Sequence, residues 1–135
     1  MRWLEVHDVQ DGVLAFDLAD LVELLRDIVD ACEWSLGFVD ASGPRAEELH
    51  QLSDVRACVG GAHLRAIAAG ITQVIDGDFI GRDRSGRLLL QLKAVDSSLW
   101  VVGAAEDSVA SLVRSRFADV RENPRWGAGA SLTPS

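Results

Sequence analysis

Three carboxylates, Asp76, Asp78 and Asp83, fall in the stretch Asp76-Gly77-Asp78-Phe79-Ile80-Gly81-Arg82-Asp83. Two carboxylates two apart, with a glycine in the sixth place, resemble the start of a calcium loop. The next ligand position is Ile80, however, and the twelfth, which needs a bidentate glutamate, is Arg87, so an EF-hand is excluded. What remains for these residues is acid–base work, which requires that they converge in a pocket that shifts their pKa values. Asp and Gly are also the residues that turns use. Nucleophilic chemistry needs a serine or cysteine beside a base. The candidates are His7, His50 and His63 with Cys32, Cys58, Ser97 or Ser98, and Cys58 and His63 stand five apart across Gly60-Gly61. The HExxH, CxxC and GxSxG patterns are absent. Gly60-Gly61 lacks the spacing of a phosphate-cradling loop and reads as a tight turn between helices. Arg82, Arg84 and Arg87 lack an aromatic platform beyond Phe79 and read as solvated turn charges. Two isolated cysteines make neither a disulfide framework nor a zinc site, and no metal or cofactor is expected. The sequence favours binding over catalysis.

The residues that suit binding are Asp20, Glu23, Asp27 and Asp30. Spaced 0, 3, 7 and 10 along one amphipathic run, they occupy an arc of about 80° on a helix. Only Arg26 on the same run offsets them. Like charges at these spacings cost a few tenths of a kcal/mol per pair, and the macrodipole disfavours anions in the C-terminal half of a helix. Selection for stability alone would mix in lysine, whereas a carboxylate stripe suits a basic partner. Trp100, in an apolar strand pattern, is an aromatic anchor candidate for the same partner surface. Trp3 and Trp34 read as core, and Trp126 falls in an expected tail.

These residues need a scaffold. Arg2–Val6 and Val13–Phe16 read as short extended pieces around a turn at Gly12. Asp17 is a helix N-cap, and Leu18, Leu21, Val22, Leu25, Ile28, Val29 and Cys32 mark one buried face of a helix from about Leu18 to Cys32. Glu33–Asp40 alternates, with Trp34, Leu36 and Phe38 on one side. A polar helix follows Pro44 to about Val55, and a short one runs from Ala62 to Ala69 with Gly70 behind it. Ile71–Val102 reads as an antiparallel meander, with a bend at Asp76-Gly77 and turns at Arg84-Ser85-Gly86 and Asp96-Ser97-Ser98. A last helix from about Glu106 to Phe117 offers Val109, Leu112, Val113 and Phe117 to the core. The expectation is an α+β domain over residues 1–121, an antiparallel sheet of about five to six strands with three to four helices packed mainly on one face. Residues 122–135 read as a mobile tail.

The 135 residues are 48% hydrophobic and 25% charged, with a net charge of −8, which excludes a disordered chain. The charge is uneven: residues 1–54 carry −10 and the rest +2. An acidic surface repels phosphate backbones and anionic lipid, so neither nucleic acid nor a membrane is an expected partner. Glu5 and Asp8 interrupt any apolar run at the start, so no signal peptide is read and the protein is expected in the cytoplasm.

Taken together with the stretches Gln73–Gly81 and Ala94–Val102, the acidic helix and the α+β pattern resemble the small acidic immunity proteins of bacterial toxin loci. The resemblance implies occlusion of a basic toxin cleft, a nuclease for example, by the acidic face. A second reading is a small accessory domain that dimerises through a sheet edge such as Leu99–Val102. A third is an enzyme using Asp76, Asp78 or Asp83.

Overall fold

In the computed structural model, which describes residues 1–127, the chain runs β1 (Arg2–Val6), β2 (Val9–Gln10), β3 (Val13–Leu14), α1 (Leu18–Leu24), α2 (Arg26–Asp30), β4 (Glu33–Ser42), α3 (Ala46–Val55) and β5 (Cys58–Gly60). It continues through α4 (Gly61–Ala68), β6 (Gln73–Arg82), β7 (Leu88–Val95), β8 (Leu99–Ala104), α5 (Asp107–Arg116), β9 (Val120–Glu122) and a 3-10 turn at Pro124–Trp126. The class is α+β, as expected. One antiparallel sheet in the order β5-β4-β6-β7-β8-β1-β9 carries the domain, beside the small β2–β3 hairpin. It has seven strands because β5 and β9, of three residues each, pair at its two edges and are too short to show a period. Very short edge strands limit pairing with other chains.

Several local signals act as written. At Asp11-Gly12 the φ angles are 53° and 81°, which suits the tight hairpin that Asp-Gly favours. Asp17 caps α1, and Asp20 Oδ2 accepts from the Asp17 amide at 2.8 Å to complete a capping box. Asp17 Oδ1 also accepts from the Val74 amide at 3.0 Å, which ties the helix start to β6, and burial raises the pKa of this carboxyl. The turn after β7 is less comfortable: Asp96 and Ser97 hold φ of 48° and 56°. Asp76 Oδ1 accepting from the Asp96 amide at 2.9 Å and the Ser97 amide donating to the Ile75 carbonyl at 2.9 Å keep it there. Glycine carries no Cβ penalty in this region, so Ser97→Gly is expected to raise stability by about 0.5 kcal/mol in a urea melt.

The core lies between the sheet and the helices, where Trp34, Leu36, Phe79, Leu90, Leu92 and Trp100 meet Leu18, Leu21, Val22, Leu64, Ile67 and Val113. Tertiary packing changes several readings. The helix expected over Leu18–Cys32 is divided at Leu25 (φ −100°, ψ 22°), although the Val29 amide still donates to the Leu25 carbonyl at 2.9 Å. Gly60-Gly61 is the junction of β5 with α4 rather than a turn between helices. The bend expected at Asp76-Gly77 lies inside the continuous strand β6. Strand β8 lies between β7 and β1, so Leu99–Val102 is interior and offers no edge for a dimer.

The ordered fold also runs past Arg121. Glu122 pairs with Leu4, and Trp126 packs on the outer sheet face against Trp3 and Val101, so Trp3 is buried on the side away from the helices. Glu5 secures this small cluster by accepting from Trp126 Nε1 at 2.8 Å and Asn123 Nδ2 at 2.9 Å, with His7 Nε2 2.8 Å from its other oxygen. Burial raises the Glu5 carboxyl, but the hydrogen bonds from Trp126, His7 and Asn123 outweigh it and leave it below the ordinary glutamate value. Residues 128–135, the rest of the expected tail, lie outside the described residues.

Candidate functional site

The four stripe carboxylates do not share one fate. Asp20 is spent in the capping box. Glu23 and Asp30 are both held by Arg65, which reaches across from α4. Its Nε and Nη2 donate to Asp30 at 2.8 and 2.9 Å, and its Nη1 to Glu23 at 3.2 Å. The hydrogen bond from Arg65 is the main cause that lowers the Asp30 carboxyl. Asp27 is exposed and belongs to none of the ion pairs among the described residues. The stripe is therefore a capping carboxylate at its start and an open carboxylate, Asp27, between two that Arg65 holds.

Around Asp27 the structure builds something the helix alone does not. Between α1–α2 and the start of α5 runs a groove of about 510 Å³. Leu24 and Ile28, both half-buried, and Leu112 supply its apolar surface, while Glu23, Asp27 and Glu106 supply acid, with Arg26 the one base. Leu112 was expected in the core, but it is 44% exposed because α5 turns Val109, Ala110 and Val113 inward instead. Glu106 is the N-cap residue of α5 and makes no side-chain capping bond, so its carboxylate stays on the groove. The groove thus pairs apolar area with excess negative charge.

The other candidates separate. Trp100, expected half-exposed at a partner surface, is 0% exposed. It faces the core from β8, stacks on Phe79 with ring centroids 6.1 Å apart, and its indole N–H finds no acceptor among the described residues. Trp100 is a core residue and cannot touch a partner. The three turn carboxylates are each engaged locally. Asp76 holds the β7–β8 turn, Asp78 Oδ1 accepts from Gln91 Nε2 at 2.8 Å, and Asp83 Oδ1 accepts from the Ser85 and Arg87 amides at 2.9 and 3.0 Å. The bond from the Ser85 hydroxyl is the leading cause that lowers Asp83. Asp76 lies within β6 and Asp83 just past its end, so the extended strand holds them apart and the set does not gather into one pocket. Cys58 is exposed on β5, while burial pushes the Cys32 thiol up to about 11. A second cavity of about 420 Å³ beside the β6–β7 turn mixes Asp30, Glu33 and Asp83 with Arg82 and Arg84 and selects neither sign of charge. Among the described residues no group of three or more His, Cys, Asp or Glu could hold a metal ion. No helix among them is long and apolar enough to cross a membrane.

The sequence pattern pointed at α1–α2 but missed Arg65, Glu106 and Leu112. Nothing local marks them, because Arg65 stands 35 residues from Asp30 and 42 from Glu23 along the chain. Comparison with known proteins adds no relative: no protein-family model matches the chain, and no match was found among curated proteins or solved structures.

Proposed function

We propose that this protein is a non-enzymatic binding module that takes a basic protein partner on the α1–α2/α5 groove, acting as an immunity-type inhibitor of a toxin. The observation that carries the reading is the combination in one groove of exposed apolar surface at Leu112 with the carboxylates of Asp27 and Glu106 and the Arg65-paired Glu23, where Arg26 is the one cation among the groove's lining residues. Apolar surface supplies affinity when it is desolvated, and the surrounding carboxylates speed the encounter and reject acidic partners. The overall charge of −8 acts in the same direction at longer range. A toxin cleft that binds phosphate is positive for the same reason, so the groove and such a cleft are complementary.

The test uses the protein and its E23K/D27K/E106K variant as parallel baits against host lysate, washed at low and at high salt, with the retained protein identified and its affinity measured. The expected result is a basic protein held by the parent at low salt and bound at least about tenfold more weakly by the variant, with most of the loss in the association rate. Co-expression of the parent, and not of the variant, should relieve the toxicity of that partner. Equal retention by a folded variant, or no basic protein retained by the parent, would remove the groove from the function.

A further inference from the structure

The groove between α1–α2 and α5 offers a partner more than a sign of charge. Its open carboxylates stand on opposite walls, Asp27 on α2 and Glu106 at the start of α5. Both are exposed, and neither belongs to an ion pair among the described residues. Arg26, the one base on the lining, also acts on Asp30, where its charge adds to the hydrogen bond and charge of Arg65 in lowering the carboxyl. The apolar surface comes from both walls as well, Leu24 and Ile28 from α1–α2 and Leu112 from α5. Along α5 the lining runs from Glu106 to Leu112, about 9 Å on a helix and so less than two turns.

These features select the occupant. A second copy of the chain would set Asp27 and Glu106 against like charges in a two-fold contact, and nucleic acid or anionic lipid would be repelled in the same way. A polypeptide that carries one apolar side chain with a cation to each side of it matches both the apolar surface and the two walls. On a helix, the residues three before and three after a central one lie about 60° to either side of it, so a leucine aimed into the groove has its flanks directed at the two walls. An extended strand puts its same-face residues in one row along the groove and leaves the walls unaddressed. Arginine suits these walls better than lysine, because an open carboxylate takes a guanidinium by two parallel hydrogen bonds and an ammonium only as a point charge.

We propose that the groove binds an amphipathic helix of the partner carrying Arg-x-x-Leu-x-x-Arg, its leucine beside Leu24, Ile28 and Leu112 and its arginines on Asp27 and Glu106. This recognition element belongs to the same site as the proposed function and rests on that reading. The helix binds there without the rest of the partner.

Fluorescence anisotropy of a labelled, alanine-based helical peptide bearing Arg-x-x-Leu-x-x-Arg, titrated with the full chain, tests this. Circular dichroism confirms that each protein variant is folded and each peptide helical. The parent should bind the peptide saturably and more weakly as salt rises. D27N/E106Q should bind it at least about tenfold more weakly, and Leu112→Ser at least about fivefold. A peptide with both arginines replaced by lysine should lose at least about threefold in affinity. One of the same composition, with its arginines moved to the face opposite the leucine, should lose about tenfold or more. No saturable binding of the first peptide, equal binding of either altered peptide, or equal affinity of D27N/E106Q would each overturn the proposal. A basic protein retained from host lysate without peptide binding would overturn this inference and leave the proposed function standing. Peptide binding with no basic protein retained would do the reverse.

Discussion

Gly61→Ala should destabilise the fold by about 3 kcal/mol or more, whereas Gly60→Ala, one residue earlier, should shift stability by less than about 1 kcal/mol. A Cβ on Gly61 would stand 1.9 Å from the Val29 carbonyl oxygen and 2.7 Å from the Asp30 Cα. Both obstacles are backbone, so no side chain can swing aside. Helix α4 would have to move away from α2, and the move would disturb an acceptor already in use, since the Val29 carbonyl takes the Trp34 indole N–H at 2.9 Å and the Cys32 amide at 3.2 Å. It would also pull Arg65 from Glu23 and Asp30. A Cβ on Gly60 meets nothing within 4 Å, and its φ of −70° and ψ of 159° suit any residue. Urea denaturation of the two variants beside the parent checks the contrast. Similar midpoints for both variants would mean that the α2–α4 contact is slack.

Trp126→Ala should cost about 3 kcal/mol, from loss of a buried indole together with a hydrogen bond to a carboxylate. Trp126 is only 9% exposed, and it covers Trp3 and Val101 on the face of the sheet away from the described helices. Its removal uncovers that apolar patch and takes one donor from Glu5. The fit is close: a Cβ on Gly103 would lie 2.4 Å from the Trp3 ring. Trp126→Phe separates the two contributions, because it keeps most of the apolar area and loses only the indole N–H. It should cost about 1 kcal/mol. Thermal melts followed by circular dichroism give both values. A Trp126→Ala melt that overlays the parent would show that the fold ends at Arg121, the boundary expected from sequence.

Features that depend on neighbours in the chain were legible. The α3 and α5 helices follow from their apolar spacing, the Asp17 cap from its position before an apolar run, and the turns at Gly12, Gly86 and Asp96-Ser97 from their turn residues. Where distant residues decide, the same local rules mislead. Alternation placed Phe38 inside, and a bulge set by the pairing of β4 with β6 placed it outside. The apolar pattern in β8 left Trp100 half-exposed, and β1 and β7 on either side made it core. Compositional drift after Arg121 suggested a tail, and Glu5, 121 residues from Trp126, anchors part of it.

The sequence by itself determined the α+β class, the acidic balance of the first 54 residues, and the row of carboxylates on α1–α2. Tertiary structure alone decided which of those carboxylates are open to a partner. A carboxylate's freedom depends on whether a cation or an amide reaches it through space. Arg65 reaches Glu23 and Asp30 from another helix, whereas Asp27 keeps company with Glu106 and Leu112 on a groove that exists only once α5 has packed.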